Sequence, residues 1–152
     1  ATLLDRRGFI HYEISNFARP GYECRHNLNY WRGGEYLGLG PAAASHLGGQ
    51  RFKKREDLES YLRNPGHVDE VEKLPPREKA AEEAVLRLRL LQEGLDTDKL
   101  ALKYGDENVI GLVSRLNRLV REGSLLRNGP LYCLPAGKAL VSNPILAEVL
   151  GD

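Results

Sequence analysis

From residue 77 onward, apolar side chains recur at the three- and four-residue spacing of helices with one buried face. Ala81, Ala84, Val85, Leu88 and Leu91 predict a helix over about 77–93, opened by Pro75-Pro76 and followed by Gly94. Asp96 or Thr97 can cap a short helix, Lys99–Tyr104, that Gly105 closes. Asp106 can cap the next, about 107–122, where Val109, Leu112, Val113, Leu116, Leu119 and Val120 form the apolar stripe. Two strand-like runs, Ser124–Arg127 and Leu131–Leu134, flank Asn128-Gly129-Pro130, a hairpin turn. Residues 136–150 read as helical, interrupted at Asn143-Pro144. Three helices and a hairpin in this order predict a winged-helix architecture. Upstream, Leu58, Tyr61 and Leu62 mark a short helix over 56–62 that Asn64-Pro65-Gly66 ends.

The first fifty residues are patterned differently. Gly8–Ile14 reads as one short strand, and Arg19-Pro20-Gly21 as a turn. Residues 22–36 read as an irregular stretch. Tyr36–Pro41 reads as a second short strand running into a glycine turn, and Ala42–His46 as a helical turn or tight bend. Two short strands and a long loop bury little core, so Phe9, Ile14, Phe17, Tyr30 and Trp31 are expected to be partly stranded. The class is α+β.

Lys and Arg number 22 against 21 Asp and Glu, giving a net charge of +1. That balance argues against nucleic-acid binding by bulk charge. No apolar run approaches the roughly 18 residues of a transmembrane helix. Arg6 and Arg7 follow the short apolar run at the start rather than precede it, unlike a signal peptide. A cytoplasmic location is the default expectation. Methionine is absent, which suggests a piece of a longer protein. The two cysteines, Cys24 and Cys133, are far apart and form no CxxC, so this chain is not expected to hold a cysteine-ligated cluster or structural zinc. Free thiols are the expectation in a reducing compartment.

The sharpest chemical candidate is His26-Asn27-Leu28-Asn29-Tyr30-Trp31. A neutral imidazole ligates haem iron, and flat aromatics pack on a porphyrin. Asn27 could orient the imidazole. Against this stands the plain reading of a capping histidine beside core aromatics. Gly38-Leu39-Gly40-Pro41 could let a ligand approach the backbone, but it lacks the spacing of a dinucleotide loop. Glu13, Asn16 and Phe17 lie at a strand end, where a ligand or only solvent could meet them. The helix over 107–122 carries Arg115, Asn117, Arg118 and Arg121, as a DNA-reading helix would. Its surroundings are nearly neutral, which favours an ordinary solvated face. Cys24 beside Arg25 and His26 lacks a third partner for catalysis, and His11, His46 and His67 are isolated.

Taken in order, the runs Tyr12–Gly21, Cys24–Trp31 and Tyr36–Pro41 resemble the HemW branch of the oxygen-independent coproporphyrinogen oxidase-like radical SAM family. Leu86–Leu95 and Leu119–Gly123 look like the C-terminal domain of the same proteins. The resemblance implies a longer parent with a [4Fe–4S] cluster and S-adenosylmethionine on a partial (β/α) barrel N-terminal to this chain. Residues 1–55 would then end the barrel region, and 56–152 would be the appended winged-helix-like domain. It implies haem as ligand, with His26 as the candidate iron contact and Asn27, Tyr30 and Trp31 in support. Glu13, Asn16, Phe17, Gly38 and Gly40 would be further cofactor contacts. A haem-acceptor protein is the implied partner, and a homo-oligomer is conceivable. The alternatives are oxidative decarboxylation of coproporphyrinogen III and, from another class, a winged-helix interaction or DNA-binding module. The family's GPGAHS appears here as Gly40-Pro41-Ala42-Ala43-Ala44-Ser45, so Ala42 stands for a glycine and Ala44 for a histidine.

Overall fold

A computed structural model of the protein describes residues 2–151; Ala1 and Asp152, at the outer ends of the two expected segments, lie outside the described residues. A short helix α1 (Thr2–Asp5) leads into strands β1 (Ile10–Glu13) and β2 (Asn16–Ala18), then helix α2 (Arg25–Trp31). Next come β3 (Ala44–Leu47), β4 (Gln50–Lys54), α3 (Leu58–Arg63) and β5 (Val68–Glu72). The chain continues through α4 (Pro76–Leu88), β6 (Leu95–Asp96), α5 (Thr97–Tyr104) and α6 (Asp106–Arg121). It ends in β7 (Leu126–Asn128), β8 (Leu131–Cys133), a 3-10 helix (Ala136–Val141) and α7 (Ser142–Leu150).

Two compact units result. One joins residues 2–33 to 75–151, and the other is Gly34–Leu74. Compactness therefore divides the chain elsewhere than at residue 55.

In the larger unit, α4, β6, α5, α6, β7 and β8 follow the winged-helix order, with the antiparallel sheet ordered β6-β8-β7. The Asp96 carboxylate caps α5 by accepting from the backbone N–H groups of Asp98 and Lys99. The periodic leucines predicted above form the core: Leu88, Leu112, Leu116 and Leu119 meet Leu95, Leu100 and Tyr132. Each fully buried leucine contributes about 1.5–3 kcal/mol of transfer free energy. Helix α7 covers α4 and α6. Its start at Ser142 places Pro144 in the first turn, where a missing N–H breaks no bond. The helical run therefore breaks one residue earlier than expected, where the 3-10 helix gives way to α7.

Helix α4 is shorter than its apolar spacing suggested. It stops at Leu88 because the next residues pair with the N-terminal segment: Ile14 N–H donates to the Arg89 carbonyl, and Leu91 N–H to the Tyr12 carbonyl. Gly94, at φ +66°, completes the reversal and donates its N–H to the Leu90 carbonyl. Ile14 accordingly packs against the main core instead of being stranded. The expected single strand at Gly8–Ile14 is one arm of the β1–β2 hairpin, with His11 opposite Phe17.

In the smaller unit, β3, β4 and β5 form an antiparallel sheet in that order. Ala44 therefore begins a strand, where a helical turn or bend was expected. The stretch Tyr36–Pro41, expected as a strand, keeps a single bridge, Tyr36 to His46. Ala42 adopts φ +59°, the left-handed region that favours glycine. That conformation costs an L-residue roughly 1–2 kcal/mol, while a glycine costs about 0.5–1 kcal/mol in chain entropy. Ala42→Gly should raise stability by up to about 1 kcal/mol. Denaturant titration of the two chains checks this, and a lower midpoint for the glycine variant would contradict it.

Candidate functional site

The run Cys24–Trp31, expected as irregular, folds as α2 and buries none of its residues fully. Tertiary ties at both ends hold it. At its start, the Cys24 N–H donates to the Tyr12 hydroxyl over 3.4 Å. Asn27 also reaches that hydroxyl, and burial pushes the Tyr12 phenol up from its ordinary value. At its end, the Arg89 guanidinium lies 5.0 Å from the centroid of the Trp31 ring. Arg32, the residue after the helix, clasps Glu93 through two hydrogen bonds of 3.0 and 2.5 Å. Tyr30 meets Trp31 edge-on at 5.0 Å between ring centroids.

The Arg32 hydrogen bonds hold the Glu93 carboxyl below its ordinary value of 4.5. Because the folded value is the lower one, the pair's contribution is complete above pH 4.5 and disappears as pH falls through the folded value. The pair is largely solvent-exposed, so that contribution is about 0.2–1 kcal/mol. The stability gap between the wild-type chain and Glu93→Gln should be present at neutral pH and close in acid. A gap that widens in acid would contradict the assignment.

His26 stands exposed in the first turn of α2, with no hydrogen bond or ion pair to its ring among the described residues. Around it, Arg25, Leu28, Asn29 and Arg32 line a shallow cleft of about 430 Å³. The cleft thus presents an unpartnered imidazole, an apolar side chain and the Arg25 guanidinium, with the Arg32 guanidinium at its far end held by Glu93. An imidazole can ligate a metal, and guanidiniums pair with carboxylates. Arg25 and Arg32 were not among the sequence candidates. Their spacing of seven residues, two helical turns, places them on one face only once the run is known to be helical.

The other candidates lie elsewhere. The Glu13 carboxylate is fully buried and closes the β1–β2 turn, accepting from the Ser15 N–H at 3.0 Å and from the Asn16 amide. Phe17 stacks on His11 with centroids 4.0 Å apart. Gly38 and Gly40 belong to the smaller unit, where their N–H groups donate to the Ser45 and Tyr61 hydroxyls. A Cβ on Gly38 would collide with the Ala44 carbonyl, so packing against β3 is reason enough for that glycine. His46 is engaged through Nδ1 with the Gly34 carbonyl at 3.2 Å.

A cluster of the radical SAM type takes three thiolates. Cys24 precedes α2 and Cys133 lies on β8, where burial pushes its thiol up, against thiolate formation. Among the described residues no three His, Cys, Asp or Glu side chains gather to hold a metal. The residues present do not fit a cluster. No helix is long and apolar enough to cross a membrane.

No family model matches the chain. Its fold matches that of coproporphyrinogen III oxidase (HemN) from Escherichia coli, a radical SAM enzyme, with a TM-score of 0.73 over 99% of this chain and 39% of that one. At 14% identity the likeness concerns the fold, which is a portion of the fold of that enzyme. Relatives in sequence are more particular. The haem chaperone HemW of Synechocystis sp. is 44% identical over 95 residues, covering 58% of this chain and 23% of the relative. HemW of Bacillus subtilis is 30% identical over 155 residues, covering 98% and 40%. HemW of Mycobacterium tuberculosis is 30% identical over 152 residues, covering 97% and 37%. The chain belongs to the HemW-type family and spans 40% or less of the length of each of these relatives.

Proposed function

We propose that this chain is the C-terminal part of a radical-SAM-family haem chaperone and that α2 is where it meets haem. Residues 1–55 would end the barrel region of the parent, and 56–152 would form its appended domain. The observation that carries the haem reading is the exposed, unpartnered His26 ring among the described residues, at the mouth of a cleft with arginines at both ends. In this reading the His26 imidazole ligates haem iron. Arg25 meets a propionate, Arg32 stays paired with Glu93 at the far end of the cleft, and Leu28 offers an apolar contact to the macrocycle. Asn27, Tyr30 and Trp31 act by seating the helix, through Tyr12 and Arg89. An open cleft on one helix suits a cargo that is held and then released. The recipient would be a haem-acceptor protein, and the setting the cytoplasm. The [4Fe–4S] cluster and S-adenosylmethionine would be held by other residues of the parent.

A haem titration of the 152-residue chain tests this reading. The wild-type chain should shift the Soret band on saturable binding. His26→Ala should bind at least about tenfold more weakly, a loss of about 1.4 kcal/mol or more. Equal affinity and an unchanged Soret band would remove His26 from the role.

A further inference from the structure

We propose that the cleft between α5, α6 and the β7–β8 wing is a docking groove for a cationic, apolar segment of another protein. This rests on the fold and its charges and is independent of the haem reading. The cleft encloses about 580 Å³, room for several side chains. Its floor is apolar, formed by Ala101, Ile110, Val113 and Pro130. Ile110 is 70% exposed although it lies on the helix that carries the core residues Leu112, Leu116 and Leu119. Leu102, one helical turn on from Asp98, extends the apolar surface and is 91% exposed.

The rim is acidic. Asp98, Asp106 and Glu107 line the cleft, and none of them is in an ion pair among the described residues. Nearby Asp96, by contrast, is paired with Lys99 at 3.2 Å. The Glu107 carboxylate accepts from the neutral Asn108 amide at 3.0 Å. The cleft's one cationic lining residue is already engaged. Arg127 donates to the Gly129 carbonyl and the Asn117 side-chain oxygen at 2.8 and 2.9 Å, and lies over the Tyr132 ring. Three carboxylates against the one Arg127 guanidinium leave the lining net acidic around an apolar floor, which attracts Lys or Arg beside an apolar anchor and repels phosphate. A winged helix that reads DNA brings this helix to the groove. Here Asp106 and Glu107 stand in its first turn, which disfavours that use.

The probe is a synthetic amphipathic peptide of about 16 residues, with leucines at helical spacing and flanking lysines, beside its counterpart with glutamate for lysine. Both are titrated into the 152-residue chain and followed in amide fingerprint spectra. The lysine peptide should shift signals of 97–113 and 126–132 and weaken as salt rises, and the glutamate peptide should shift none. Combined Asp98→Asn, Asp106→Asn and Glu107→Gln should lower affinity at least about fivefold and flatten the salt dependence. Ile110→Ser should lower it by about tenfold through lost apolar burial. All four side chains are on the surface, and unchanged spectra outside the cleft confirm the fold of the variants. The proposal is overturned if the lysine peptide leaves these signals in place or shifts others instead. Equal binding of both peptides, unaffected variants, or a short DNA duplex shifting the same signals would each overturn it too.

Discussion

Gly94→Ala is expected to destabilise the larger unit by about 2–5 kcal/mol, from two costs that add. The backbone there has φ +66°, a left-handed conformation that penalises any L side chain. A Cβ would also press into the Tyr132 carbonyl oxygen and come within 2.5 Å of the Cys133 sulfur. Neither neighbour can give way easily, because Tyr132 pairs with Leu95 in the sheet and is fully buried. The damage should reach α2. Residues 89–93 carry the hydrogen bonds to Tyr12 and Ile14, the cation beneath Trp31 and the Glu93 partner of Arg32. Trp31 is the chain's single tryptophan, so its fluorescence reads that seat directly. Urea unfolding followed by tryptophan emission should show a lower midpoint for Gly94→Ala. An unchanged midpoint would contradict the role given to this turn.

Leu116→Ala is expected to cost about 2–5 kcal/mol. Leu116 is wholly buried in the middle of α6, at the centre of the cluster where α4, α6 and α7 meet. Removing three carbons there leaves a cavity that helices on both sides resist closing. Thermal unfolding followed by circular dichroism should show a clear drop in midpoint. Leu102→Ala, at an exposed position on α5, should change it little. Equal effects at the two positions would contradict the assigned core.

These two leucines also show which parts of the fold the sequence carries openly. Helix α6 was legible from its continuous stripe at three- and four-residue spacing and its glycine stop, and α5 from an Asp cap and a closing glycine, whereas Asp106, expected to cap α6, is the first residue of that helix with Gly105 at the cap. The wing was legible from Asn128-Gly129-Pro130. Helix α2 was not, because nothing in Arg25–Trp31 faces a core. It is held by Tyr12, Arg89 and Glu93, partners up to 61 positions away whose approach no local pattern encodes. The strands β4 and β5 were hidden for a related reason. Lys53, Lys54 and Glu72 interrupt their alternation, and the sheet is instead tied by cross-strand pairs such as Arg51 with Glu72. The end of α4 was overrun because the Leu91 that extends its stripe turns to pair with β1. For the site, residue types singled out His26 as a candidate iron contact, and its ring stands exposed in the first turn of α2. Its arginine neighbours emerged only with the helix, and Glu13 proved to be a turn-closing carboxylate inside the fold.

The central claim is that the His26 imidazole reaches haem iron, and ligand hyperfine spectroscopy tests it most directly. The chain is prepared with isotope-labelled histidine and saturated with ferric haem. Electron–nuclear double resonance then reads whether a labelled imidazole nitrogen is bound to the iron. The account predicts that coupling in the wild-type chain and its loss in His26→Ala, with the other three histidines unable to replace it because His11, His46 and His67 are each engaged within the fold. Coupling that persists unchanged in His26→Ala, or is absent from the wild-type complex, would contradict it.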